Sequence, residues 1–293
     1  MGAVYKRELK SLMTDIYGFL LAAVVLLGVG MTMYKINLYY GFADASYNQM
    51  GWGEYALCLM IPLVCMKSVT GDRKQGTDVL YRTLPLSTTV VVLGKFFALL
   101  TVLALPIAVM SLYPLLLSAF GEVNFLSAYS AILLYFFLGA ALIALCMFLS
   151  SLTRHMILSA IVGIAVCVLV MFAPSLLLYL PFTPVISLVG FAVLAALIAV
   201  AAWLFTKNIP ATVITAMILF IPLGTLYVLD AVLQWQLFEG LLYLVASYVS
   251  PFQQFQNSVS DGIFDLFSVT VMVSFAVFFL FLTVRSMNRR RLS

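Results

Sequence analysis

The chain alternates long apolar runs with short charged interruptions, and the runs have the length of membrane crossings rather than of soluble core helices. Residues 16–34 carry no charge, and residues 156–206 carry none over 51 positions. A crossing takes about 20 apolar residues, so the longer stretch holds two, with Pro174, Pro181 and Pro184 marking the break. The pattern predicts eight spans, at about 17–36, 50–69, 90–119, 129–150, 157–173, 185–205, 211–229 and 266–284. The second is the weakest, with only 12 charge-free residues, 55–66, between Glu54 and Lys67. It crosses if Lys67 snorkels toward the headgroups, and Lys95, in the first turns of the third span, is expected to snorkel back in the same way. The stretch 241–252 is too short to cross before Gln253 and Gln254, and is expected to be interfacial or re-entrant.

Composition narrows the class. Of 293 residues, 65% are hydrophobic and 9% charged, with a mean hydropathy of +1.15. Soluble domains are about 45–50% apolar and about 25% charged. A soluble enzyme, a nucleic-acid binder and a disordered chain are excluded, because so few charges cannot cover so much apolar surface. The expected fold is an all-α polytopic membrane protein, one transmembrane domain over 1–293.

The net charge of +4 then reports orientation rather than a nucleic-acid partner. With eight spans and the N-terminus inside, 14 of the 15 basic residues face the cytosol and only Lys35 lies outside. Seven of the 11 acids fall outside: Asp44, Glu54, Glu122, Asp230, Glu239, Asp261 and Asp265. Both termini are therefore expected in the cytosol. The first apolar run exceeds the 7–15 residues of a signal core and is expected to be a retained span.

Site chemistry is sparse. His155, the single histidine, sits beside Arg154 in a turn with no metal-ligand spacing around it. Cys58, Cys65, Cys146 and Cys167 all lie in apolar runs without a CxxC, which reads as small buried hydrophobes. No H-E-x-x-H occurs. Gly94-Lys95 lacks the Gly five residues earlier and the Ser/Thr that a phosphate loop needs. No catalytic, cofactor-binding or metal-binding residue is expected. Ionisable groups deep in spans are nearly absent, so an energy source in trans is favoured over an ion gradient. Gly28-Val29-Gly30 and Gly139-Ala140-Ala141 read as helix-packing surfaces.

The informative segment is the polar loop 70–89. Gly76 suits a helix end, Thr77 a new N-cap and Asp78 its positive end. Residues 78–84 make about 10 Å of helix, which Pro85 stops. Two turns are not stable alone in water, and Leu80 and Leu84, four apart, offer a contact line for a dock. A solvated loop on the headgroups is the alternative.

The run Asp72-Arg73-Lys74-Gln75-Gly76-Thr77-Asp78-Val79-Leu80-Tyr81-Arg82-Thr83-Leu84-Pro85-Leu86-Ser87, followed by Leu93-Gly94-Lys95-Phe96, resembles the ABC type-2 transporter permeases. The branch it is most similar to is that of the gliding-motility and copper-maturation permeases. Tyr5-Lys6-Arg7-Glu8-Leu9, Ser250-Pro251-Phe252 and the basic C-terminus fit the same pattern. The resemblance covers roughly 1–165 and 240–291. It implies a coupling helix over 72–84 that docks on a separate ATPase, with Asp72, Arg73, Gly76, Thr77, Asp78, Leu80, Arg82 and Leu84 as the coupling residues. It also implies a cytosolic elbow helix within 1–15 and an outer re-entrant segment over 230–265.

By the same resemblance the partners are a pair of ABC ATPase subunits and a second permease subunit, identical or not, in a bacterial cytoplasmic membrane. ATP and Mg belong to the ATPases, and this chain binds no cofactor. The function implied is export of a hydrophobic or amphiphilic substrate. The usual family count is six spans, so 185–229 is expected to be a two-span insertion. The rival classes are an ion-coupled secondary transporter and an intramembrane enzyme.

Overall fold

The structure, a computed structural model, describes residues 2–39, 51–71, 87–119, 122–153, 155–206, 209–233, 237–262 and 264–292. They are helical almost throughout, with no strand among the described residues. This follows from the apolar runs: in hydrocarbon each backbone N–H and C=O must be satisfied within its own segment, which a helix does. Among the described residues seven helices are long and apolar enough to cross a membrane, and the chain is an all-α, multi-pass membrane protein. The remaining expected span, the sixth, corresponds to the helix Pro184–Thr206, whose described apolar stretch Pro184–Val200 is shorter than a full crossing.

The chain divides into two compact units. The first comprises Met1–Met171 and Pro251–Ser293. It opens with α1 (Gly2–Thr14) and α2 (Ile16–Thr32), which runs on as a π-helix over Met33–Tyr39. Next come α3 (Gly51–Met66), continued as a π turn over Lys67–Gly71, then α4 (Thr88–Met110) and the short α5 (Tyr113–Leu117). After these follow α6 (Phe125–Leu152) and α7 (Met156–Leu178), and finally α11 (Pro251–Asp261) and α12 (Leu266–Leu292).

Helix α6 is the axis, packed against α3, α4, α11 and α12. It is apolar on all sides, the mark of a helix surrounded by others. Gly139 lets α4 approach: a Cβ there would lie 2.3 Å from Leu103 Cδ2. Gly28 does the same for α2 on α3, where a Cβ would stand 3.2 Å from the Trp52 carbonyl oxygen. The expected packing role of both small-residue clusters is thus met at these two positions.

Two boundaries differ from the sequence expectation. Pro174 was expected to help end the fifth span, yet it sits inside α7, which runs on to Leu178. Proline is tolerated within membrane helices, as Pro62, Pro106 and Pro222 also are here. The last helix continues through Arg285 and Arg289 instead of ending near 284. Charge ends the apolar span but not the helix.

The second unit is Phe172–Ser250. It holds α8 (Pro184–Thr206), α9 (Ile209–Leu233) and α10 (Leu241–Val249), with α8 packed on both α9 and α10. The Leu242 N–H donates to Ser187 Oγ at 3.4 Å. After α9 the carboxylate of Asp230 accepts the N–H groups of Leu237 (2.8 Å) and Phe238 (3.2 Å), which folds the chain back toward α10. No described side chain between Thr212 and Leu229 is buried. In lipid such a surface needs no protein cover, because lipid tails are as apolar as Leu. The unit is wider than the 185–229 insertion, and the expected outer segment 230–265 divides between the two units at Ser250–Pro251.

Sidedness is a direct test of the eight-span reading. In a cysteine-free background, single cysteines at Asn124 and Ser260 are expected to react with an impermeant maleimide on whole cells. Cysteines at Gln75 and Ser293 are expected to react only after lysis. Ser260 is the better outer probe than Ser258, which is buried and donates to the Gln254 carbonyl. Labelling at Ser293 with silence at Ser260 would reverse the layout of the last third.

Candidate functional site

The eight expected coupling residues, Asp72, Arg73, Gly76, Thr77, Asp78, Leu80, Arg82 and Leu84, lie outside the described residues. The structure describes how both ends of that loop are held. It leaves the bundle from the π turn Lys67–Gly71 and re-enters at Ser87, the N-cap of α4.

The holding begins with α1. Its residues Val4, Glu8 and Leu12 recur at four-residue spacing and form a buried stripe, while Lys6, Arg7 and Lys10 remain exposed. The stripe faces α4, where Gly94 makes room: a Cβ there would meet Val4 Cγ1 at 3.1 Å. The Tyr5 and Thr101 hydroxyls share a hydrogen bond of 2.9 Å one step further along. At the elbow a Cβ on Gly18 would lie 2.4 Å from the Leu12 carbonyl oxygen, so the turn from α1 into α2 needs glycine at that position.

This docking carries one charge into the core and meets it with another. Lys95 Nζ lies 3.1 Å from Glu8 Oε1, and both side chains are almost fully buried. Lys95 also donates to the Ser68 carbonyl, and the Ser68 hydroxyl donates to Glu8 Oε2 at 3.3 Å. Ser68 belongs to the π turn, whose wider bonding departs from the i→i−4 ladder and is frequent at functional sites. The expectation that Lys95 snorkels is corrected. A buried acid is in reach on α1, so the ammonium turns inward to a partner instead of outward to the headgroups.

Three elements meet at this knot. Ser68 stands four residues before Asp72 and Lys95 eight after Ser87, so one residue from each root of the loop binds α1. The same end carries further ties. Lys67 pairs with Asp15 at the α1–α2 junction, with its Nζ 5.4 Å from the centre of the Tyr17 ring. Lys67 thus reaches a carboxylate rather than extending freely. Thr70 and Ser150 hydroxyls lie 2.6 Å apart, joining the π turn to α6, and the Ser151 hydroxyl donates to Ser286 at 3.0 Å, joining α6 to α12.

The sequence reading did not single out Glu8, Ser68 and Lys95 as a set. A signal existed: Glu8 interrupts an apolar stripe at helical spacing, and Lys95 interrupts an apolar run beside a glycine.

At the opposite end of this unit, Gln256 Nε2 on α11 donates to Glu54 Oε2 on α3 at 2.8 Å, and Glu54 is buried. Beside it the Tyr135 hydroxyl donates to the Gly53 carbonyl at 2.7 Å. Ser258 and Ser268 hydroxyls, 2.6 Å apart, join α11 to α12. Asp265 caps α12, accepting from the N–H groups of Phe267 (3.0 Å) and Ser268 (3.2 Å) and from the Ser268 hydroxyl (2.9 Å). The Phe267 N–H, and next the Ser268 hydroxyl, hold the Asp265 carboxyl below its ordinary value. A depressed carboxyl stabilises the fold above the unfolded value of about 4, and the stabilisation is lost as pH falls through the folded value. Once corrected for the intrinsic pH dependence of exchange, the protection of amides at the start of α12 is therefore expected to be lower in acid than at neutral pH. Asp265→Ala is expected to cost about 1 kcal/mol and to abolish that pH step. An unchanged step in the variant would assign it to another group.

Among the described residues no group of three or more His, Cys, Asp and Glu could hold a metal ion, and His155 is exposed. The chain matches no protein-family model, and no curated protein matches it.

Proposed function

We propose that the protein is the membrane-spanning permease subunit of an ATP-driven exporter of the ABC type-2 class. Its ATPase subunits are supplied in trans, and it works as a homo- or heterodimer of permeases in a bacterial cytoplasmic membrane. One observation carries the reading: the charged, proline-bearing loop after the second apolar helix resembles the family's coupling loop, and its roots are tied to α1, one by the buried Lys95–Glu8 ion pair and the other by the hydrogen bond from the Ser68 hydroxyl to Glu8. A loop that transmits force needs roots that do not slip. Glu8, Lys95 and Ser68 supply such roots, because separating them leaves a charge unpaired in the core. Binding of ATP in the partner would move the loops and shift the spans between two packings. The substrate class is hydrophobic or amphiphilic, in keeping with the nearly charge-free spans.

The test is affinity purification of the intact chain from its own membranes in mild detergent. A span-free P-loop ATPase is expected to co-purify, with ATP hydrolysis in the eluate. Its absence, with the chain intact and folded, would count against the reading. An ion-coupled carrier is the rival, and buried Glu54 is the group it would use. Glu54→Gln would then abolish substrate uptake into vesicles driven by an imposed ion gradient. An ABC permease would show no such gradient-driven uptake.

A further inference from the structure

All four cysteines of the chain converge on one seam of the first unit. Cys58 and Cys65 come from α3, Cys146 from α6 and Cys167 from α7, and all four are buried. The Cys146 and Cys167 sulfurs are 3.5 Å apart. The Cys65 thiol lies 3.8 Å from the Ile143 carbonyl, on α6 three residues before Cys146. Cys58 Sγ lies 3.7 Å from Met171 Sδ on α7. Close approach of α7 to α3 at Gly163, where a Cβ would lie 2.8 Å from Pro62 Cβ, draws the seam together. Any small apolar side chain could fill such a seam, so packing alone does not call for sulfur at every one of these positions.

We propose that Cys146 and Cys167 form a covalent modification site, a dithiol that a lipid-soluble two-electron oxidant of the quinone class closes to a disulfide joining α6 to α7. The two S–H bonds break and one S–S bond forms. Both hydrogens, with two electrons, pass to the quinone and leave it as the quinol. A disulfide needs about 2.05 Å between sulfurs, so closure asks for a movement of about 1.5 Å, which thiol rotation and a small shift of α7 provide. The ligand class follows from the surroundings. Complete burial within spans shields these thiols from water-soluble oxidants. Hydrocarbon is the medium nearest the pair, since Val168 and Leu169 are exposed on the other side of α7 while Cys167 itself is fully buried. A resident metal is the weaker assignment, because no three-donor set assembles among the described residues.

The experiment uses the wild-type chain in proteoliposomes, because its own four cysteines are the reporters. After exposure to decyl-ubiquinone, the protein is denatured, alkylated with a maleimide and weighed intact. Alkylated thiols are expected to fall from four to two, with Cys146 and Cys167 linked on peptide mapping and one quinol formed per chain. Impermeant tetrathionate is expected to leave all four free. Cys167→Ala is expected to keep its three remaining thiols free under quinone. Four maleimides after quinone treatment, a bond between any other pair, or loss of two thiols in Cys167→Ala would each overturn the proposal.

Discussion

Glu8→Ala and Lys95→Ala are each expected to destabilise the first unit by about 3–5 kcal/mol, because each leaves the other's charge buried and unpaired. The paired variant Glu8→Met with Lys95→Met is expected to recover most of that loss. It removes both charges and keeps the apolar volume between α1 and α4, and such replacements are often neutral or better. In a cycle built from Glu8→Met, Lys95→Met and the two together, the combined effect on thermal unfolding in detergent should therefore fall far short of the sum of the single ones. Charge reversal, Glu8→Lys with Lys95→Glu, is expected to rescue less than the Met pair. The Ser68 carbonyl accepts from the ammonium on α4, and a carboxylate in that place would face it with a second acceptor. Additive single effects, or full rescue by reversal, would show that the charges do not act as a buried unit. A Met pair as unstable as either single variant would show instead that apolar contact alone cannot seat α1.

The class of fold was legible because its cause is local. Runs such as 156–206, with no charge over 51 residues, leave the backbone no option but helices. What the sequence withheld was pairing between distant segments. Depth rules treat a lysine by its position in a span, and by that rule Lys95 goes to the headgroups. Its partner is 87 residues away, on a helix whose apolar side was legible in Val4 and Leu12 but had no assigned neighbour. Pro174 failed for a related reason. Proline removes one i→i−4 bond, and inside a membrane helix neighbouring helices and local adjustments re-satisfy the freed carbonyl, so the helix runs on. The convergence of the cysteines was equally hidden, since residues 58, 65, 146 and 167 share no spacing that marks a cluster. The expected coupling residues between 72 and 84 were read from capping and resemblance and lie outside the described residues, so they rest on function tests.

The most informative of those tests is at the tip of the loop. Leu80→Asp and Leu84→Asp are each expected to abolish substrate-stimulated ATP hydrolysis in the reconstituted complex while leaving insertion and span count unchanged. The sequence expectation places both side chains on one line of a two-turn helix started by Thr77 and ended by Pro85. A helix that short is stable only when docked, and a carboxylate put into an apolar contact without a partner costs a few kcal/mol. A loss of about 3 kcal/mol corresponds to a fall of more than a hundredfold in affinity for the ATPase, enough to lose it on purification. Gly76→Val should act in the same direction if that residue closes the preceding helix with a positive φ. The roots provide the internal control. Glu8→Met with Lys95→Met tests whether the loop is held, whereas Leu80→Asp tests whether its tip is received. A chain with intact roots and Leu80→Asp should therefore melt like wild type yet fail to couple. Wild-type coupling in folded Leu80→Asp and Leu84→Asp variants would move the ATPase contact elsewhere, with the turn at Arg154 and His155 the next place to test.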